Sequence, residues 1–154
     1  MAESLPVRSL SSGWTVVKEV AISTTPSRVF RGLTKPHELN AWFTHGAAVD
    51  LRVGGSYRNL DHDKGRFLEI VPNERLRFTW DNSDHAPGSI VEILLKNVGG
   101  KTVLTLIHSG FKHKRDFDDY SSRESGWNWA LWNLKAHLEG RKISSYEDWL
   151  KKRS

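Results

Sequence analysis

Near the C-terminus, beginning at Gly126, the run Gly-Trp-Asn-Trp-Ala-Leu-Trp-Asn-Leu-Lys-Ala-His-Leu-Glu carries Trp127, Leu131, Leu134 and Leu138 at the spacing of one helical face. Almost everything before it alternates or is β-branched, so one long apolar-faced helix stands against a set of strands. A sheet with one apolar face must bury it against another element. The pattern predicts an α+β domain in which a curved antiparallel sheet of about six or seven strands wraps around a helix over residues 122–139, with Gly140 as its stop.

Periodicity marks the strands and turn chemistry marks the breaks. Residues 14–23, Trp-Thr-Val-Val-Lys-Glu-Val-Ala-Ile-Ser, form the first strand. Thr24-Thr25-Pro26 then offers a capping hydroxyl and a proline suited to a first helical turn, and Val29, Phe30 and Leu33 follow at helical spacing. A second short helix starts at Pro36 and ends on Trp42-Phe43. Residues 48–51, 56–60, 65–71, 75–80, 89–96 and 102–109 read as further strands. Leu76, Phe78 and Trp80 share one face, and Val91, Ile93 and Leu95 point inward against Glu92 and Lys96. The last strand is partly apolar on both faces; the face of Leu104 and His108 is preferred as the inner one. Asn97-Val98-Gly99-Gly100-Lys101 reads as a tight hairpin. Residues 1–13 read as a flexible N-terminus, 14–140 as the domain, and 141–154 as a tail. In that tail Tyr146, Trp149 and Leu150 have helical spacing behind a capping serine.

A chain of 154 residues with 38% hydrophobic content is long enough for one domain with its own core. Without cysteine it has no disulfide and no thiolate metal site, which fits a reducing compartment. Its first residues, Met-Ala-Glu-Ser-Leu-Pro, show no basic segment followed by an apolar one, and no stretch approaches the roughly 18 apolar residues of a membrane helix. A cytoplasmic protein with no membrane insertion is expected. The net charge of +5 is scattered, with local clusters at 112–115 and 151–153. No recognition helix or aromatic RNA motif accompanies them, so nucleic acid is not an expected partner.

The order of elements and the wording of several motifs carry a resemblance. The motifs are Val29-Phe30-Arg31-Gly32-Leu33-Thr34-Lys35-Pro36 with Trp42-Phe43, then Asp50-x-Arg52-x-Gly54-Gly55, and Gly65 with Val71-Pro72-x-Glu74-Arg75-Leu76. Phe78-Thr79-Trp80, Thr105-x-x-His108-Ser109-Gly110-Phe111 and Gly126-Trp127 complete the set. Over roughly residues 14–140 the chain resembles the family related to the C-terminal domain of the activator of Hsp90 ATPase, within the START-like (SRPBCC) group. The resemblance implies a helix-grip fold enclosing a mainly apolar cavity between sheet and long helix, and the binding of a small apolar or aromatic molecule there. It implies no cofactor. The eukaryotic co-chaperone has a further N-terminal domain, for which this chain offers no room, so chaperone activation is not the leading expectation.

The candidate wall of that cavity is Trp42, Tyr57, Phe67, Phe78, Trp80, Leu104, His108, Trp127 and Leu131. These large rings either meet in the middle or leave a hole. His108 is open to two readings, a packed histidine satisfied by a neighbour, or a polar contact or acid/base for a guest. Asp50 and Arg52, two apart on a strand, read as a surface pair, with a place at the cavity mouth as the alternative. Asp61-His62-Asp63 offers metal-ligand types, but neighbours on a loop tip converge poorly, and no metal site is expected. Nucleophile elbows, zinc-protease helices and dinucleotide loops are absent, and catalytic residues are unassigned. An enzyme of cyclase or hydrolase type using the same cavity is the first alternative function, and a protein-interaction module like the co-chaperone domain is the second. Trp129 and Trp132 fall off the main helical stripe; either the tail covers them or they form a homodimer surface with it.

Overall fold

The computed structural model describes residues 7–9, 14–82, 85–122 and 126–152. The first long strand, Val16–Ile22 (β2), is preceded by a three-residue strand, Val7–Ser9 (β1). Helices Pro26–Thr34 (α1) and Pro36–Trp42 (α2) follow. Next come Ala48–Val49 (β3), Ser56–Arg58 (β4), Asp63–Val71 (β5), Arg75–Asn82 (β6), His85–Val98 (β7) and Lys101–Ser109 (β8). Lys114–Ser121 (α3), Gly126–Leu138 (α4) and Tyr146–Lys151 (α5) close the chain.

All strands join one antiparallel sheet in the order β1-β2-β8-β7-β6-β5-β4-β3. Eight strands stand where about seven are expected. The additional one, β1, falls in the stretch read as a flexible terminus. Its Val-Arg-Ser is too short to show alternation and is organised by the free edge of β2, with Val7 opposite Val20. The remainder of residues 1–13 lies outside the described residues. Register shifts between Phe67 and Glu69 and between Trp80 and Asn82 are irregularities of the bulge type, which bend and twist a strand.

Local chemistry explains the helices. Thr25 caps α1 by accepting the Arg28 amide at 3.2 Å, and Pro26 sits in its first turn. Lys35, held extended by the following proline, ends α1 and begins α2. Gly99 and Gly100, at φ 58° and 83°, make the two-residue turn between β7 and β8, a left-handed pair that side chains disfavour.

The inner face of β8 is Thr102, Leu104, Leu106 and His108, all buried, against Val16, Lys18, Val20 and Ile22 of β2 and Val91, Ile93 and Leu95 of β7. Against this face lies α4, with thirteen described residues that end at Leu138, one before the expected Glu139; the expected start at 122 leads into residues outside the described ones. It is buried on more than one stripe: Asn133, 1% exposed, donates to Trp42 O at 2.8 Å and accepts the Ser144 amide at 2.9 Å. Those bonds tie the end of α2 and the tail to one side chain. The tail helix α5 is capped by Ser145 and buries Trp149. Trp129 donates to Ser144 O at 2.7 Å and lies 6.0 Å from Tyr146, so this indole is covered by its own chain. Among the described residues no helix is long and apolar enough to cross a membrane.

The helix α3 is not anticipated by composition, which shows only basic residues at 112–115. Lys114 pairs with Asp118 at 2.9 Å across one turn, and Phe117 and Tyr120 face Phe111. The Phe117–Tyr120 spacing is the signal for it.

Candidate functional site

The sheet curls past α4 at its β3–β4 edge, and there, under α1 and α2, the side chains stop short of one another. A cavity of about 90 Å³ remains, open on one side and lined almost wholly by apolar atoms. Trp42, Tyr57, Phe67, Phe78, Trp80 and Trp127 border it, as do Leu39, Phe43, Val49, Leu76 and Ile93, which are not in the candidate wall read from the sequence. A water needs about 10–15 Å³ of such space, so the volume admits a group of several non-hydrogen atoms.

Each polar atom on the bordering rings is already engaged. The Trp42 indole donates to Gly32 O at 2.8 Å, Trp80 to the Tyr120 hydroxyl at 2.9 Å, and Trp127 to His108 Nδ1 at 3.0 Å. The Tyr57 hydroxyl donates to Thr79 O at 2.6 Å. Burial, reinforced by the charges of Asp63 and Asp81 and by Tyr120, pushes the Tyr57 phenol well above its ordinary range, so it stays a neutral donor. Gly65 makes this bond sterically feasible. A Cβ there would stand 2.0 Å from Thr79 O and 2.7 Å from the Tyr57 ring. Tyr57, Phe67 and Phe78 then meet one another at 5.4–6.1 Å between centroids, Tyr57 edge-on to Phe78.

His108, Leu104 and Leu131 do not border the cavity, which corrects their place in the candidate wall. Leu104 and Leu131 are sealed in the packing between sheet and α4, at 0% and 2% exposure. His108 is fully buried beside Trp127, 4.4 Å from Phe111 and 4.8 Å from Tyr120 between ring centroids. Because Trp127 donates to Nδ1, the imidazole proton sits on Nε2 and goes to Ser89 Oγ at 2.8 Å, whose own proton reaches Ala86 O at 2.7 Å. Burial lowers the His108 pKa to about 3. A neutral imidazole with both nitrogens committed has no proton to exchange with a guest, and the packed reading of His108 is the one this geometry supports.

The other candidates also resolve. Asp50 and Arg52 form an exposed pair at 2.9 Å away from the lining. Asp61 accepts from Thr44 Oγ1 at 2.6 Å, whereas the buried Asp63 is held by the amides of Asn59 and Asn82, so the two carboxylates serve different turns. Burial raises the Asp63 pKa above the usual carboxylate value. Lys18 is a buried cation that patterning passes over. It donates to Ser121 O at 2.9 Å at the end of α3, and burial lowers its pKa to about 8.

A curved antiparallel sheet gripping a C-terminal helix, with an apolar cavity between them, defines the START-like helix-grip class. The chain belongs to the activator of Hsp90 ATPase homolog 1-like family, whose model matches residues 23–139. No curated protein shows a significant match. Among solved structures, protein CV1439 from Chromobacterium violaceum is 30% identical, with 81% of this chain and 96% of that one covered and a TM-score of 0.66. CalU16 from Micromonospora echinospora shares the fold at 24% identity, with 86% and 83% covered and a TM-score of 0.72. The Aha1 dimer from Colwellia psychrerythraea does so at 20% identity, with 81% and 96% covered and a TM-score of 0.70.

Proposed function

We propose that the protein binds a small, largely apolar or aromatic molecule, or the apolar end of a longer one, in the cavity bordered by Trp42, Tyr57, Phe67, Phe78, Trp80 and Trp127. The observation that carries this reading is the saturation of the aromatic wall: three indole N–H groups and one phenol are bonded to the protein itself, and apart from Thr44, Arg58 and Asn59 what lines the space is almost wholly ring and methyl surface. An apolar guest leaves no donor unpaired there, and each Å² of apolar surface it buries gains about 25 cal/mol before association costs. A polar group placed among the rings would lose its hydration, and Thr44, Arg58 and Asn59 are the only polar side chains of the lining left to meet it.

Native mass spectrometry of freshly purified protein, followed by thermal-shift titration with indole and naphthalene derivatives, tests the proposal. Ala47 borders the cavity, and Ala47→Phe fills it from the rim. The expected result is a rise in Tm with the aromatic probes in the parent chain and none in Ala47→Phe, with the variant still folded by circular dichroism. Equal shifts in both proteins, or none in the parent, contradict it.

A second reading, as a protein-interaction module, is favoured by the exposed Leu51, Val53 and Leu60, and by the chaperone activator for which the family is named. A partner on that surface would still be retained by Ala47→Phe. Self-association, as in the Aha1 dimer from Colwellia psychrerythraea, would fall to Trp132 and the tail, because Trp129 is already covered.

A further inference from the structure

Away from the cavity, where β7 begins and α3 crosses it, three side chains with metal-ligand atoms come together. His85 opens β7, and Asp116 and Asp119 stand three residues apart on α3. One ligand atom from each lies within 4.8 Å of the others. Such a cluster on an exposed surface would mean little, but Asp116 is only 5% exposed. Among the described residues its carboxylate accepts no hydrogen bond, and the basic group nearest it is His85 Nδ1 at 4.0 Å, too far for one. Its place in the first turn of α3 gives a favourable dipole and no bonded partner. Its oxygens keep a little solvent contact, so an ion can reach them, and a cation would compensate a carboxylate that is mostly buried and lacks a hydrogen bond.

We propose that His85, Asp116 and Asp119 bind one divalent transition-metal ion of the zinc type, clipping α3 to the start of β7. The donor set selects the class. An imidazole nitrogen with two carboxylates suits zinc and its neighbours, whereas calcium and magnesium take all-oxygen shells of six or more. Two carboxylates also balance the charge of a divalent ion. Tetrahedral ligation at roughly 2.0–2.2 Å needs ligand atoms roughly 3.3–3.6 Å apart, so the site closes by about 1 Å on binding. The side chain of His85 is 62% exposed and Asp119 is exposed, so both can rotate while the buried Asp116 stays. Three protein ligands leave a fourth position for water or an anionic group.

The site would brace the cavity from behind. Tyr120, one residue beyond Asp119, accepts the Trp80 indole proton, and Trp80 borders the cavity.

Isothermal titration of metal-stripped protein with Zn²⁺ alone, and separately with Mg²⁺ alone, tests the site, with thermal melts in parallel. One Zn²⁺ per chain is expected, with a higher Tm and no comparable response to Mg²⁺. His85→Ala, Asp116→Asn and Asp119→Asn should each weaken binding by roughly tenfold to a hundredfold or more, since even the outer partners of metal ligands are worth that much. His85→Ala removes an exposed side chain, so its loss of binding does not depend on a folding defect. Absence of Zn²⁺ binding, binding that survives all three substitutions, or binding lost only when His45 or His62 is replaced would overturn the proposal. So would substitutions that lower Tm without Zn²⁺ while Zn²⁺ adds nothing to the parent, which would leave a simple ion pair.

Discussion

The groove between the sheet and α4 ends in two different ways, although both ends are built from aromatic rings. At the β8 end Trp127, His108, Phe111 and Tyr120 are bonded or stacked to one another, with centroids 4.4–6.1 Å apart for the pairs that touch. At the β4 end Trp42 and Tyr57 are instead anchored from behind, to the carbonyls of Gly32 and Thr79. Rings that satisfy their polar atoms on each other close the space between them. Rings that satisfy them on the backbone still touch neighbours, Trp42 on Phe43 and Tyr57 on Phe67 and Phe78, yet leave the space between the two groups open. Trp80 and Trp127, bonded to Tyr120 and His108, belong to the packed end and border the cavity as well, so they mark where one end passes into the other.

The strongest way to break this contrast is Trp127→Ala, which removes the ring shared by both ends and opens the packed end into the cavity. Denaturant unfolding should show a loss of about 3–5 kcal/mol, the usual range for deleting a buried tryptophan. A loss below about 1 kcal/mol would mean that the two ends are not coupled through this side chain.

Next in size is pH. The folded imidazole of His108 protonates only near pH 3, while its ordinary value is 6.5. Between those values the unfolded chain binds the extra proton, so the His108 contribution is full above about 6.5 and falls as pH drops, at about 1.4 kcal/mol per unit where the slope is complete, while the lowered pKa of Lys18 acts mainly above pH 8. Above pH 4.5 the ion-paired Glu38 and Glu139, whose pKa values are lowered from there, contribute little slope. Urea unfolding between pH 7.5 and 4.5 should therefore slope in the parent chain and flatten in His108→Gln. Equal slopes would place the sensitivity elsewhere.

Smaller again is Tyr57→Phe at the open end. It strands the Thr79 carbonyl, an expected loss of about 1–3 kcal/mol, without adding a polar group to the cavity. Aromatic probes should therefore still raise its Tm. Loss of the probe response with stability unchanged would show that the hydroxyl, and not the ring, meets the guest.

The inner face of β8 is only a preference in the sequence, because Val103 and Ile107 make the other face apolar too; pairing with β7 decides it by burying Leu104 and Leu106. The start of α1 is legible because Thr25 and Pro26 act locally. Alternation says which face a residue is on, and nothing about how far along the groove it lies. Phe78 and Trp80 thus fall on the cavity wall, while Leu104 and His108, equally inward, sit in closed packing. The bonds that separate the two ends join residues far apart in the chain: Trp127 to His108, Tyr57 to Thr79, and Asn133 to Trp42. No local pattern announces such pairs. The strand β1 escapes for the same reason, since it is shaped by the edge of β2, whereas α3 has a local signal in the Phe117–Tyr120 spacing and the Lys114–Asp118 pair that composition does not show.

Xenon tests the central claim most directly, because an apolar cavity stays dry and accepts it while a polar or filled one does not. Crystals pressurised with xenon should show an anomalous peak bounded by Trp42, Tyr57, Phe67 and Phe78, lost in Ala47→Phe. Ordered water in that space, or side chains meeting across it with no xenon peak, would contradict the account.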